Sequence, residues 1–215
     1  MNEMQTYSAP PPAQQQEGWM TQEQKEVVRK QFFPPNATAT DMKYCMQVAE
    51  SFNLNPILKQ IYFVPRKSKV NGQWHEKIEP MAGHASFLTL AHRSGRFAGM
   101  NTIVEVRETP QLINNVWTAQ TDLVAICTVW RTDTQTPFIV EVAYEEYVQR
   151  NQKGITRFWK EKPKTMLKKV AESQALRKAF DITGLYSKEE MGNDYEYQQN
   201  RYQETQIEDA FLVGN

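Results

Sequence analysis

An unbroken helical stretch bracketed by Pro163 and Gly184 constrains this chain more than any other feature. Proline is at home in the first turn of a helix, where its missing N–H has no intrahelical partner to lose. From Pro163 the pattern predicts a helix to about Asp181, and Gly184 suits the left-handed turn that closes one. Within it Leu167, Val170 and Ala171 fall together on one side, an apolar stripe that has to be covered by a sheet or by other helices.

The preceding residues predict that sheet. Gln60 to Arg66 and Gln73 to Met81 read as two strands, and Asn71-Gly72 between them is a strong hairpin signal. Three more strands are predicted over Phe97 to Arg107, Asp122 to Arg131 and Pro137 to Val142. In the second of these, Val124, Ile126, Thr128 and Trp130 alternate as in a half-buried strand. Shorter helices punctuate the strands. Thr21 with Gln24 forms a capping box for a helix to about Phe32, ended by Pro34-Pro35. Asp41 is the expected N-cap of a helix carrying Tyr44, Cys45, Val48, Ala49 and Phe52 on one side, and Asn53-Leu54-Asn55-Pro56 stops it. Gly83 to Ser94 reads as a helix with Phe87, Leu88 and Ala91 inward. Ser187 with Glu190 reads as the capping box of a last, polar helix. The expected fold is α+β, with one mainly antiparallel sheet made of a hairpin and a three-stranded meander, and a long helix packed on it.

Residues 1–18, rich in Pro and Gln, have nothing with which to build a core and are expected to form a disordered arm. Residues 19–192 are expected to form one folded domain, followed by an acidic tail over 193–215. Cys45 and Cys127 lie in apolar contexts without metal-ligand or redox spacing, and two buried thiols in a reducing compartment are the expectation. The N-terminus has no basic-then-apolar leader, and no window approaches the roughly 18 apolar residues of a membrane span, so a soluble, cytoplasmic protein is expected.

The overall charge is zero, with 25 basic and 25 acidic side chains, but the distribution is polar. Residues 151–178 contain nine Lys/Arg and two acids, residues 180–215 two bases and eight acids. A basic segment followed by an acidic tail suggests a polyanion site and a tail that either competes for it or docks elsewhere.

Catalytic chemistry finds no foothold. His75, His84 and His92 share no metal-ligand spacing, and there is no HExxH, Walker loop, GxSxG or glycine-rich nucleotide turn. Glu145 and Glu146 are adjacent, and on an extended chain adjacent side chains point opposite ways. The sequence predicts neither an enzyme nor a cofactor site.

The basic segment is the candidate site. Lys164 and Lys168 are i, i+4 neighbours on the predicted helix, with Glu172 one turn on, and Lys169 and Lys178 add further cations. Arg177 projects near the apolar stripe and needs a partner there, for which a phosphate or a carboxylate would both serve. Trp159, just before the helix, is either a core cap or a stacking platform. Lys59, Arg66, Lys67 and Lys69 form a second basic group in and beside the hairpin. Aromatic residues among the cations (Tyr62, Phe63, Trp74 and Trp159) fit sequence-tolerant binding of single strands, because every base offers a face on which to stack. A solvated helix face is the ordinary fate of a charge run, but such a face usually mixes Glu with Lys, and this one is biased to one sign.

Three ordered pieces of the sequence carry a family resemblance. The run Leu54-Asn55-Pro56-Ile57-Leu58-Lys59-Gln60-Ile61-Tyr62-Phe63-Val64-Pro65-Arg66-Lys67 resembles a signature of the phage Bet/Redβ (RecT-type) single-strand annealing proteins. Ala91-His92-Arg93-Ser94-Gly95-Arg96-Phe97-Ala98-Gly99 resembles that family's helix-to-strand corner. Trp159 through Pro163-Lys164-Thr165-Met166-Leu167-Lys168-Lys169 to Ala175-Leu176-Arg177-Lys178-Ala179-Phe180, closed by Gly184-Leu185-Tyr186, resembles its long helix. The similarity covers about residues 38–192.

What the resemblance implies is a Rad52-like core that binds single-stranded DNA in a basic groove between the hairpin side and the long helix. It implies ATP-independent annealing of complementary strands in phage homologous recombination, by a homo-oligomeric ring or helical filament that also holds the annealed duplex intermediate. No cofactor is implied, and Mg2+ enters only as a solution ion that favours annealing. Lys59, Lys67, Lys164 and Arg177 match cationic contacts of the family, Trp159 matches its tryptophan before the helix, and Lys168 and Lys169 are expected to help. Thr165 departs from the pattern, since an arginine stands there in the family. A phage exonuclease and the host single-strand-binding protein are the implied protein partners, although the tail here is shorter than in members that carry a further helical domain for them. The alternatives are a passive single-stranded-DNA-binding accessory protein of replication or repair, and an interaction module whose basic helix binds an acidic protein.

Overall fold

A computed structural model describes residues 19–70 and 73–191, with the backbone alone over 67–70 and 73–75. The expected arm, the acidic tail and the Asn71-Gly72 turn lie outside the described residues. In chain order the helices are α1 (Gln22–Gln31), α2 (Ala39–Ser51), α3 (His84–Arg93), α4 (Tyr144–Tyr147), α5 (Arg157–Glu161) and α6 (Pro163–Ala179). The strands are β1 (Ile61–Val70), β2 (Gln73–Ala82), β3 (Phe97–Ile113), β4 (Val116–Arg131), β5 (Phe138–Ala143), β6 (Arg150–Asn151), β7 (Gly154–Ile155) and β8 (Tyr186–Ser187).

The α+β fold holds, but the strands form two three-stranded sheets where one was expected. One sheet is ordered β1-β2-β8 and the other β3-β4-β5, and β6 with β7 makes a small separate ribbon. The first hairpin is antiparallel from Ile61 opposite Ala82 to Val70 opposite Gln73, which leaves two residues for its turn. The parallel strand β8 was not foreseen: Tyr186 and Ser187 pair with Met81 and Ala82 and bring the chain back beside the base of the hairpin.

Local chemistry accounts for most of the boundaries. Thr21 and Gln24 form the expected capping box, each side chain accepting from the other residue's backbone N–H. In α2 the box is shifted by one turn. Thr38 is the N-cap and Asp41, expected there, is its partner inside the first turn, with the Asp41 side chain accepting from the Thr38 backbone N–H at 3.0 Å. The Thr38 hydroxyl, which donates to the same Asp41 oxygen at 2.6 Å, and this backbone bond hold the Asp41 carboxyl below its ordinary pKa. The helix buries Cys45 and Ala49, whereas Tyr44, expected on the inner side, is exposed. Ser187 and Glu190 form half of their expected box, the Ser187 backbone N–H donating to Glu190 Oε2 at 2.8 Å, but residues 188–190 make turns and no helix follows up to Met191. Pro163 opens α6 as predicted. The helix ends at Ala179, and Asp181 and Gly184 then take left-handed backbone conformations, at φ +53° and +73°, to turn the chain into β8.

The second hairpin is longer than its sequence pattern suggested. β3 and β4 pair without interruption from Gly99 opposite Trp130 to Ile113 opposite Val116. Asn114 and Asn115 close it with φ of +50° and +63°, the two-residue turn whose twist matches that of the strands and which asparagine tolerates. β5 supports only the inner part, pairing with Val124 to Val129.

Helix α6 lies on the β4–β5 side of this sheet and against α3. Leu167, Val170 and Ala171 are fully buried, as the stripe predicted, and Ser173, Ala175, Leu176 and Ala179 join them. The small side chains let the helix axis come close to Ala125, Cys127 and Val129 of β4. Phe87, Leu54, Ile61, Ile78 and Leu185 complete one continuous core, in which Phe33 stacks on Phe63 at 4.3 Å. Full burial of each such side chain stabilises the fold by about 1.5–3 kcal/mol before the entropy of ordering is set against it.

Candidate nucleic-acid interface

The expected cations separate into an open set and a closed set. Lys59 begins the open one. Leu54 and Pro56 are buried, and the segment between them and β1 is drawn into a compact turn. The Asn55 side chain accepts from the Ile57 backbone N–H, and the Gln60 side chain accepts from the Asn55 backbone N–H, both at 2.9 Å. Lys59 sits at the corner with φ +57°, its side chain exposed. Tyr62, three residues on, is 44% exposed, so its ring is available to a partner.

This corner is joined to α6 through the start of α3. A Cβ on Gly83 would lie 3.6 Å from Cε2 of Tyr62 and 3.7 Å from the Lys59 carbonyl oxygen. The next residue, His84, meets Glu172 of α6, Nε2 to Oε2, at 2.6 Å. Lys168 is one turn from Glu172 on the same helix face, and Lys164 one turn further. Burial pushes the Glu172 carboxyl up, but the hydrogen bond from His84 and the charge of Lys168 outweigh it and leave its pKa lowered. The turn that carries Lys59 and Tyr62 is thus tied, through Gly83 and the His84–Glu172 pair, to the helix that carries Lys164 and Lys168. Tyr62 is one of the aromatics that stood among the cations as stacking candidates, whereas His84 did not stand out in the sequence; its only signal was position, next to a glycine whose packing the sequence does not state.

Lys169 and Arg177 belong to the closed set. A helix advances about 100° per residue, which turns both away from Lys164 and Lys168 and toward the chain that follows α6. Lys169 Nζ lies 3.2 Å from Glu189 Oε1. Arg177 donates to the Leu185 carbonyl at 3.2 Å, lies 4.4 Å over the Tyr186 ring, and places Nη2 3.1 Å from Glu190 Oε1. The partner Arg177 needs is therefore a carboxylate of its own chain. The Glu190 side chain is only 5% exposed; burial raises its pKa against the opposing influence of the Ser187 N–H and the Arg177 charge. Residues 185–190 act as a clasp, held by β8 pairing and by the Gln149 side chain, which donates to the Lys188 and Met191 carbonyls.

Trp159 lies in the core, with no exposed surface. It belongs to α5, its ring 5.7 Å from that of Tyr144, and the Tyr144 hydroxyl donates to its carbonyl at 3.0 Å. In this conformation no base can reach its face. Thr165 is exposed at the start of α6, between the two open lysines in sequence. Lys67 stands opposite Glu76 in the hairpin register, and its side chain lies outside the described residues. Among the described residues no three His, Cys, Asp or Glu side chains are grouped to hold a metal ion, and no helix is long and apolar enough to cross a membrane.

Comparison with known proteins agrees with the resemblance carried by the motifs. The family model described as RecT family matches residues 18–206. The recombination protein bet of Escherichia phage lambda is 28% identical over 174 residues, covering 79% of this chain and 58% of its own length. The chain therefore spans little more than half the length of that relative.

Proposed function

The chain belongs to the RecT family, and from that premise we propose that it binds single-stranded DNA and anneals complementary strands in phage recombination, without ATP and as an assembly of several copies. The observation that carries this reading is the His84–Glu172 pair, which ties the turn bearing Lys59 and an exposed Tyr62 to the helix bearing Lys164 and Lys168. Cations held on a turn and a helix can follow a phosphate backbone, and an aromatic ring can stack on any base. The family resemblance adds Lys67, further along β1, to these cations. In this reading the groove holds one strand extended with its bases accessible, and a second strand supplies specificity by pairing. Binding is then nearly sequence-blind and falls steeply with salt. Trp159 contributes indirectly, by fixing the segment that leads into α6. Lys169 and Arg177 contribute fully only when their carboxylates release them. A phage exonuclease and the host single-strand-binding protein are the partners this role would bring.

A mixing assay with complementary oligonucleotides, with and without Mg2+, tests the proposal. An annealer speeds pairing. A passive protector of single strands slows it, and that outcome would replace annealing with the accessory role. Absence of salt-sensitive retention on a single-stranded DNA column would point to an acidic protein as the ligand.

A further inference from the structure

The β3–β4 hairpin continues far beyond the sheet it helps to build. Past Val124 the strand β4 has, among the described residues, only β3 beside it, so from the Val106–Leu123 pair outward to Asn114-Asn115 the two strands form a ribbon with no third described strand. Directly opposed residues of an antiparallel pair share a face, and faces alternate along each strand. One face therefore carries Val106, Pro110, Leu112, Trp117, Ala119 and Leu123, interrupted only by Glu108 and Thr121. The other is polar (Arg107, Asp122, Thr109, Gln120) until Ile113 and Val116 at the tip. The apolar face continues the one that carries Ala125, Cys127 and Val129 under α6. On the ribbon it is uncovered: Trp117 is 70% exposed, Val106 67% and Leu112 56%.

The opposite, outer face of the β3-β4-β5 sheet is mixed, with an apolar cluster beside Asn101, Thr128, Glu105 and Glu141, the last two paired with Arg107. Ile103 pairs with Ile126, Ile139 stands opposite Thr128, and Trp130 lies one alternation further. Ile103, Ile139 and Trp130 are 47%, 53% and 42% exposed.

We infer that the ribbon of one copy packs its apolar face onto the outer sheet face of a second copy of this chain. The ribbon cannot reach that face of its own sheet, because β3 and β4 run straight from one into the other. A two-stranded ribbon is only marginally stable in water without a further layer, and a neighbour's sheet supplies one. The exposed apolar side chains of the ribbon amount to roughly 500 Å², near the top of the ~300–600 Å² that the largest patch on a typical monomer presents. A specific interface buries above ~1,000 Å² in total, so polar neighbours of the ribbon and of the sheet face have to join their apolar patches in the contact. The two halves are different surfaces, so the contact is heterologous and propagates into a ring or an open filament. This deepens the self-assembly in the proposed function and rests on it.

Sedimentation velocity of the full chain, without DNA, tests the inference. The wild type is expected to sediment well above monomer. Leu112→Glu with Trp117→Glu spoils the ribbon, and Ile103→Glu with Ile139→Glu spoils the sheet face; each variant alone is expected to be monomeric. A 1:1 mixture of the two retains one good ribbon and one good face, and is expected to give a dimer and nothing larger. Circular dichroism checks that each variant is folded. The milder pair Leu112→Ser and Trp117→Ser, expected to weaken assembly at least tenfold, replaces a ribbon variant that fails to fold. Variants that assemble like the wild type, or a mixture that stays monomeric, would overturn this interface while leaving self-assembly in place. A monomeric wild type that still binds a short oligonucleotide would overturn both the interface and self-assembly, but not strand binding.

Discussion

Glu190 closes on Arg177 with an oxygen-to-nitrogen distance of 3.1 Å, from a position only 5% exposed. Glu189, its neighbour, does the same to Lys169 at 3.2 Å. Consecutive acids thus hold two cations of the basic helix, and the surface offered to a polyanion is set by this clasp as much as by the lysines.

Removing the clasp's charge should widen that surface. The double substitution Glu189→Gln and Glu190→Gln is expected to strengthen binding of a labelled oligothymidine in fluorescence anisotropy. It should also steepen the dependence of log affinity on log salt by up to about 1.4, for two added phosphate contacts at about 0.7 each on a single strand. An unchanged slope would mean that Lys169 and Arg177 serve only the fold.

The open lysines should behave in the opposite sense. Lys164→Ala with Lys168→Ala is expected to flatten the same slope by about 1.4 and to shift stability in urea by no more than about 0.5 kcal/mol, as for ordinary surface substitutions. Arg177 is a poorer choice for this purpose, because its removal leaves the buried Glu190 without its counter-charge. A loss of stability without a change in slope would reject Lys164 and Lys168 as phosphate contacts.

Trp159 separates a packing role from a stacking one. Its burial predicts that Trp159→Ala costs about 3–5 kcal/mol in urea denaturation, the usual range for emptying an aromatic site in a core. Were the ring instead a platform for bases, stability would hold and only strand affinity would fall.

The thiols give a pH prediction. Burial pushes Cys45 up to about 12 and Cys127 up to about 11. Because both values are raised in the folded state, their contribution to stability is complete below the ordinary thiol range near 8.5 and is lost as pH rises through about 11 and 12. The denaturation midpoint should therefore fall progressively above about pH 9. At pH 8 an alkylating reagent should modify the native protein far more slowly than the urea-unfolded chain; equal rates would place the thiols at the surface.

Part of the fold was legible in the residues. The Thr21–Gln24 box, Pro163 at the head of the long helix and the Leu167-Val170-Ala171 stripe each depend on neighbours within a turn or two, and each is found where the pattern put it. The outer half of the second hairpin was missed, although Asn114-Asn115 between Leu112-Ile113 and Val116-Trp117 is a turn signal. It was hidden because Trp117 and Leu112 are exposed, so the ribbon lacks the inside–outside contrast by which strands are recognised. β8 could not be read at all, since two residues paired to a strand a hundred positions earlier leave no periodicity.

The sequence by itself determined that α6 begins at Pro163 and is cationic over its exposed side, because helix spacing and charge sign are local properties. Which of those cations stay available was decided only by the tertiary structure. The turn of Lys59 is tied to the helix of Lys168 through Gly83, His84 and Glu172, while β8 carries Glu189 and Glu190 onto Lys169 and Arg177. An ion pair depends on distance in space, and that distance is fixed by the path of the chain between its partners.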